Sequence, residues 1–137
     1  MNDQTPNIFP ALRFRDATAA ISWLKEAFAF EEKAVYRGDD GKVQHAELRL
    51  GTGVVMLGTS REEGWMAGKA PDARASTISI YTVVDDPDAH CERAKAAGAE
   101  IVRQLADMDY GSREYSARDL DGNLWSFGTY DPYASAG

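Results

Sequence analysis

The sequence is poor in residues that cross-link a chain, bind metals or span a membrane. Its single cysteine, Cys91, excludes an intrachain disulfide and fits a reducing compartment. Histidine, a frequent metal ligand, occurs only as His45 and His90. No apolar run approaches the length of a membrane span, and the first residues lack the basic and apolar regions of a secretory signal. We therefore expect a cytoplasmic protein with no membrane partner.

An excess of positive charge is also missing. The net charge of −7 at pH 7 leaves no basic stripe for phosphates, which argues against a nucleic-acid partner. Acidity of this kind is compatible with a cationic ligand, although it more often serves solubility. The length of 137 residues and the hydrophobic content of 44% suit a single domain, residues 1–137, with an ordinary core.

The chain contains an internal repeat with a spacing of 70 residues. Residues 8–59 lie over residues 78–129 without a gap, and eleven of the 52 pairs are identical, where composition alone gives roughly three or four. One identical pair is Asp16 with Asp86, and each aspartate is placed to cap the N-terminus of a helix. We interpret the repeat as a duplicated supersecondary unit.

Each copy of the repeat predicts a strand, a helix and three further strands. The first strands are predicted at residues 8–14 and 78–84, and each leads into a helix with an apolar face. The later strands are predicted at about 30–37, 43–50 and 53–58, and at about 100–108, 113–119 and 123–130. The two modules span about 8–59 and 76–130, with a connector at 60–75 and a loose tail at 131–137.

Three short motifs accompany the repeat: RDLDGNLW at residues 118–125, HAELRLG at residues 45–51, and Phe14-Arg15-Asp16 before a helix that contains Trp23-Leu24. Together with the tandem βαβββ modules they resemble the vicinal-oxygen-chelate superfamily of glyoxalase I, the bleomycin-resistance proteins and the extradiol dioxygenases. The resemblance covers about residues 8–130. It implies an α+β fold in which the modules form a cup-shaped mixed β-sheet, with the helices on the convex face and the site on the concave face.

The resemblance also implies four metal-ligand positions, on the first and last strands of each module. They fall on Phe9 and Met56 in the first module and on Ser79 and Ser126 in the second. These four side chains cannot hold zinc, nickel or iron, which bind imidazole, carboxylate or thiolate groups. We therefore expect no metal and no other cofactor, and we disfavour a metal-dependent lyase or dioxygenase.

Alternation along the strands predicts which other side chains face the cup. With a constant offset of 70, the third strands contribute His45, Glu47 and Arg49, and their counterparts Tyr115, Ala117 and Asp119. The predicted ligand-binding residues are Phe9, Arg13, Met56, Trp65, Ser79, Tyr81, Tyr115 and Ser126. Aromatic and apolar walls edged by a few polar groups are typical of a small-molecule site.

Several of these side chains have two interpretations. His45 and Glu47 share a face and form either an acid–base pair or a structural pair. Arg13 binds either an anionic ligand group or a carboxylate, that of Glu47 or Asp119. Trp65, in the connector, either covers the mouth of the cup or anchors its loop.

Three functions follow from these expectations. The first is a metal-free protein, related to the bleomycin-resistance members, that binds and sequesters a cationic or aromatic compound in its cup. The second is a metal-independent enzyme that uses His45 and Glu47, and the third is a protein-interaction module, for which the sequence has no positive sign. The resemblance also implies a homodimer, because in this superfamily the cup is commonly shared or closed at a two-fold interface, and edge strands at the ends of each sheet need cover.

Overall fold

The structure, a computed structural model, describes residues 6–61 and 76–134. The first module consists of β1 (Ala11–Phe14), α1 (Ala17–Phe28), β2 (Glu31–Arg37), β3 (Val43–Leu50) and β4 (Gly53–Thr59). The second module consists of β5 (Ser79–Val83), α2 (Pro87–Ala96), β6 (Glu100–Asp107), β7 (Arg113–Arg118) and β8 (Leu124–Gly128). The predicted α+β fold of two βαβββ modules is confirmed. Both first strands are shorter than predicted, and Ile78, the first residue of the predicted strand 78–84, precedes β5 and is 76% exposed.

The two helices begin in the same way and end differently. The side chains of Asp16 and Asp86 each accept a hydrogen bond of 3.0 Å from the backbone N–H three residues later, as expected of N-caps. Helix α1 ends at Ala29, which adopts a left-handed conformation with φ of 69°, whereas after α2 the left-handed residue is Gly98, with φ of 86°. Within the described part of the chain, no helix is long and apolar enough to cross a membrane.

Each module forms its own four-stranded mixed sheet. The strand orders are β1-β4-β3-β2 and β5-β8-β7-β6. In each sheet the first strand pairs in parallel with the last, and the other pairs are antiparallel. Strands β1, β2, β5 and β6 therefore lie at sheet edges.

A single core joins the modules through the helices. Helices α1 and α2 pack against each other, and the indole N–H of Trp23 donates to the carbonyl of Ala97 at 3.2 Å. The ring of Phe28 lies 5.4 Å from that of Trp125 and 4.7 Å from that of Phe127, both on β8. One face of each sheet thus carries the core, and we call the opposite face of each sheet its outer face.

The repeat does not keep a constant offset of 70 residues. Glu31 pairs with Arg49, whereas Glu100 pairs with Arg118, so both strands of this pair are displaced by 69 residues. The change begins at the helix ends, since Gly98 follows Ala29 by 69 residues. The offset is 70 again at the hairpin, where Arg37 pairs with Val43 and Asp107 with Arg113, and it is 69 beyond the hairpin because Gln44 of β3 has no counterpart in β7. It returns to 70 in the last strand, after a turn that is one residue longer in the second module.

This change of offset reverses the predicted orientation of β7. A one-residue slip moves every side chain of a strand to the other face of its sheet. Glu114 and Ser116 therefore lie on the outer face, and Tyr115 and Ala117, both 0% exposed, lie in the core. The prediction that Tyr115 and Ala117 line the cup is wrong for this reason. Asp119 also leaves the predicted face, since it is buried in the turn before β8, where it accepts from the indole of Trp125.

Tyr115 instead forms a buried link with His90. Its hydroxyl lies 2.6 Å from Nδ1 of His90, while Nε2 of His90 lies 2.8 Å from the carbonyl of Phe28 at the end of α1. Because a carbonyl only accepts, Nε2 carries the proton and Nδ1 accepts from the tyrosine. Burial lowers the pKa of His90, which favours this neutral form. Tyr115, predicted to bind a ligand, and His90 are therefore parts of the core that connects the modules.

Candidate functional site

A cleft of about 490 Å³ opens on the outer face of the second sheet. We call it the tyrosine cleft. Its lining residues come from all four strands of the sheet and from the segments that adjoin them, and they are Tyr81, Arg103, Tyr110, Glu114, Ser126 and Tyr130. Two of them, Tyr81 and Ser126, are predicted ligand-binding residues, and they are paired neighbours on β5 and β8.

Glu114 is the most deeply buried charge in the tyrosine cleft, with 4% of the residue exposed. Its Oε1 accepts from Nη2 of Arg103 at 2.9 Å and from the hydroxyl of Tyr110 at 2.8 Å. Burial alone would raise the pKa of Glu114, but the hydrogen bonds from Tyr110, Ser112 and Arg103 outweigh it and lower that pKa. Glu114 is therefore ionised at neutral pH, and Arg103 balances its charge.

The three tyrosines of the cleft contact one another. The hydroxyl of Tyr81 donates to the carbonyl of Tyr130 at 2.8 Å, and the two ring centres lie 6.4 Å apart. The ring of Tyr110 meets that of Tyr130 edge to face, at 6.2 Å. Burial raises the pKa of Tyr81, so its phenol is neutral at physiological pH. The cleft thus has an aromatic wall in which the hydroxyls of Tyr81 and Tyr110 already have hydrogen-bond partners.

A chain of hydroxyl contacts links the charged pair to the last strand. Arg103 Nε donates to Ser116 Oγ at 3.1 Å, and Ser116 Oγ lies 2.7 Å from Ser126 Oγ. Ser126 occupies one of the four positions at which the resemblance implies a metal ligand. Here its hydroxyl belongs to a hydrogen-bonded row that holds the guanidinium of Arg103 in place.

Gly128 makes room for this arrangement. A Cβ atom there would collide with the side chain of Glu114 and lie 2.9 Å from the hydroxyl of Tyr81 and 3.1 Å from Ser112 Oγ. The equivalent glycine of the first module, Gly58, is covered by the guanidinium of Arg13. The identical pair Gly58 and Gly128 therefore marks the place in each module where a polar side chain crosses the last strand.

The outer face of the first sheet carries the other predicted pair. His45 Nε2 lies 2.9 Å from Glu47 Oε2, and Lys33 Nζ lies 3.1 Å from Glu47 Oε1. The ring of Tyr36 stacks over His45, at 6.2 Å between centres. The hydrogen bond from His45, followed by that from Lys33, lowers the pKa of Glu47, which is therefore a carboxylate shared by two donors.

The remaining predicted ligand-binding residues are not brought into one site. Phe9 lies just before β1 and is partly exposed, Met56 pairs with Ala11, and Ser79 pairs with Leu124 at the start of β5. Trp65 lies outside the described residues. No group of three or more histidine, cysteine, aspartate or glutamate side chains is arranged to hold a metal ion within residues 6–61 and 76–134.

Four residues of the tyrosine cleft are absent from the sequence prediction: Arg103, Tyr110, Glu114 and Tyr130. Glu114 was missed because the gapless offset of 70 placed the wrong side chains of β7 on the outer face, and Arg103 was missed because no side chain of β6 was assigned to a face. The sequence does contain a signal for the change, since Gly98 is suited to the left-handed position that ends a helix. Aligning Gly98 with Ala29 gives the offset of 69 in the part of β6 that carries Arg103, whereas Glu114 lies outward because β7 lacks a residue equivalent to Gln44.

Comparison with known proteins agrees with this architecture. Uncharacterised proteins of Mycobacterium bovis and Mycobacterium tuberculosis H37Rv are 36% identical to the chain over 126 residues, which is 90% of the chain and 82% and 74% of those proteins. The crystal structure of TioX from Micromonospora sp. ML1 matches with a TM-score of 0.73 and 31% identity, over 95% of this chain and 100% of that one.

A more distant solved structure shows the same fold. A glyoxalase/bleomycin resistance protein/dioxygenase family enzyme from Burkholderia phytofirmans PsJN matches with a TM-score of 0.65 and 16% identity, over 88% of this chain and 95% of that one. The sequence model of the glyoxalase/bleomycin resistance protein/dioxygenase superfamily matches residues 9–127. Since that match runs from before β1 into β8, the chain belongs to this superfamily.

Proposed function

We propose that this protein binds a small aromatic compound in the tyrosine cleft and holds it without converting it. The observation that carries the proposal is the aromatic wall of Tyr81, Tyr110 and Tyr130 around a cleft of about 490 Å³. This volume lies within the range of small-molecule pockets, roughly 300–1,000 Å³. Tyrosine rings offer a large apolar contact surface to a stacked ligand.

The charge of the cleft favours an uncharged ring over a cation. Glu114 is the acidic residue of the lining, and it already binds Arg103 and Tyr110. A cationic ligand would have to displace Arg103 from a buried carboxylate, which costs the existing charge-assisted hydrogen bond. The net charge of −7 therefore does not by itself favour a cation in this cleft.

Binding can be tested with the uncharged fluorophore N-phenyl-1-naphthylamine. We expect Tyr81→Ala and Tyr110→Ala each to weaken its binding by about 1 kcal/mol or more, a factor of about five in Kd. Tyr36→Ala is the matched control, because Tyr36 is an exposed tyrosine on the outer face of the other sheet. Fluorescence titration measures all three variants, and thermal melting shows that they are folded. Equal losses in the Tyr36 variant and the cleft variants would contradict the proposal.

A second candidate function is supported by the contact between His45 and Glu47. Their separation of 2.9 Å is compatible with an acid–base pair. Because Lys33 shares the same carboxylate, the contact also serves as a structural ion pair. A compound that the wild-type protein converts, with conversion lost in His45→Ala and Glu47→Gln, would favour the enzyme over the binding protein.

The site is further proposed to be completed by a second copy of the chain. The outer faces and their edge strands carry exposed apolar side chains, including Phe9 before β1 and Val83 on β5. Unpaired edge strands and apolar surface of this kind need cover. Sedimentation velocity should therefore give a dimer, with twice the chain mass of 15.0 kDa, at tens of micromolar. A monomer at that concentration would restrict the site to one chain.

A further inference from the structure

Arg13 occupies an unusual position on the outer face of the first sheet. It lies between Leu12 and Phe14 on β1, both of which face the core, so its own side chain faces outward. Its guanidinium extends across the paired strand β4 and covers Gly58, where a Cβ atom would collide with Nη1. The backbone of the neighbouring strand thus supports the guanidinium from below and leaves it partly buried.

No carboxylate binds Arg13 within the described ranges, residues 6–61 and 76–134. Both acids that the sequence suggested as partners are engaged elsewhere: Glu47 binds His45 and Lys33, and Asp119 binds Trp125. The charged group that acts on Arg13 is Arg61, which has the same sign. Burial lowers the pKa of Arg13, and the charge of Arg61 lowers it further.

Two other arginines on these sheets do have a carboxylate partner. Arg49, on the same sheet as Arg13, binds Glu31 at 3.3 Å, and Arg103 binds Glu114 at 2.9 Å. Arg61 follows Ser60, whose backbone N–H donates to the carbonyl of Phe14, the neighbour of Arg13, at 2.8 Å. A partly buried guanidinium with a second cation in the same region is unfavourable by itself, because desolvation and like-charge repulsion both act against it. An anion between the two side chains would remove both penalties.

We infer that Arg13 and Arg61 form a binding site for the oxyanion group of a small molecule, a carboxylate or a phosphate. A guanidinium presents paired N–H donors whose spacing matches two oxygens of such a group. Because Gly58 has no Cβ, the guanidinium of Arg13 lies over the backbone of β4, where no carboxylate of the described residues competes with an added anion. This site goes beyond the proposed function, since it lies on the other sheet and shares no residue with the tyrosine cleft.

The site can be tested on the full chain with sodium phosphate and sodium acetate as probes. Arginine ¹⁵Nε NMR spectra are recorded during titration, with sodium chloride at equal ionic strength as the reference for screening. We expect the Arg13 signal to shift with one or both probes and to saturate. Arg13→Gln and Arg61→Gln should each weaken the binding by about tenfold or more. In each variant the binding is measured from the ¹⁵Nε signal of the arginine of the pair that remains. Arg49→Gln is the matched control and should leave the affinity for the probe anion unchanged.

The outcomes separate the possible ligands and the two proposals. Saturation by phosphate alone assigns a phosphate group, saturation by acetate alone assigns a carboxylate, and saturation by both assigns a general oxyanion site. A wild-type protein that responds to neither salt beyond chloride overturns the inference, as does an Arg13→Gln protein that binds as tightly as wild type. If Arg13→Gln does not fold, the same titration is made with Arg13→Lys, which keeps the charge and loses the paired donors. Binding of N-phenyl-1-naphthylamine should be the same in all these variants, so failure of one site does not imply failure of the other.

Discussion

Replacing Phe28 by alanine should lower the free energy of unfolding by about 3–5 kcal/mol, because a fully buried aromatic side chain is removed and a cavity remains. Phe28 belongs to the first module, but its ring contacts Trp125 and Phe127 of the second and stacks at 6.1 Å on His90. We therefore expect both modules to lose stability together.

Urea unfolding followed by circular dichroism and by tryptophan fluorescence measures this effect. The two signals should give one common transition in the wild type and in Phe28→Ala, with a lower midpoint in the variant. Tyr133→Ala is the control, since Tyr133 is an exposed aromatic residue outside the core, and its change should stay within about 0.5 kcal/mol. Two separate transitions in the Phe28 variant would show that the modules unfold independently.

Asp119→Ala should be almost as damaging, at about 3 kcal/mol, although Asp119 lies in a turn. Its buried carboxylate accepts from the indole N–H of Trp125 at 2.9 Å, from the side chain and backbone of Asn123, and from the backbone of Asp121. The substitution leaves a buried indole N–H without a partner and releases the turn before β8. Hydrogen bonds to a charged group contribute roughly 1.5–3 kcal/mol, more than neutral ones.

The neighbouring Asp121 provides the control for Asp119. Its carboxylate accepts an exposed hydrogen bond from the backbone of Arg15, so Asp121→Ala should cost about 1 kcal/mol or less. Asp119→Asn keeps the shape and one acceptor oxygen, and it should lie between the two alanine variants. Thermal or urea unfolding gives the ranking. Equal stability of the Asp119 and Asp121 variants would mean that the buried carboxylate does not hold the turn.

The helices, strands and core could be predicted because each depends on nearby residues. Capping by Asp16 and Asp86 requires a carboxylate three residues before an N–H, and this spacing is visible in the sequence. Alternation along β4 and β8 places Val55 and Trp125 in the core, as the structure confirms. The internal repeat then supplied the long-range information that single elements lack, namely that the two modules have the same topology.

Much of the candidate site could not be predicted, because it depends on the register between strands. Glu114 and Arg103 meet because of the register between β6 and β7, in which Arg103 pairs with Ser116 and Ala106 with Glu114. These residues correspond to the first module with an offset of 69 on β7, not 70. Hairpin bulges also differ, since Gln44 is left unpaired on β3 between Val43 and His45, and β7 has no such residue. Sequence identity between the modules does not report these one-residue changes, since they leave the apolar pattern of each strand intact.

The change of offset has a consequence for how such a two-module protein can acquire new ligands. Removing one residue from a strand, as β7 lacks a counterpart of Gln44, exchanges the inner and outer sets of side chains beyond that point. In β7 that exchange displays Glu114 and Ser116 and hides Tyr115, whereas the corresponding strand of the first module displays His45 and Glu47. A single-codon deletion or insertion thus brings a different set of side chains outward, and the side chains that it turns inward must then become apolar to keep the core. Recognition in this architecture can therefore diverge through a change of one residue in length, followed by substitutions that restore an apolar inner face on the strand.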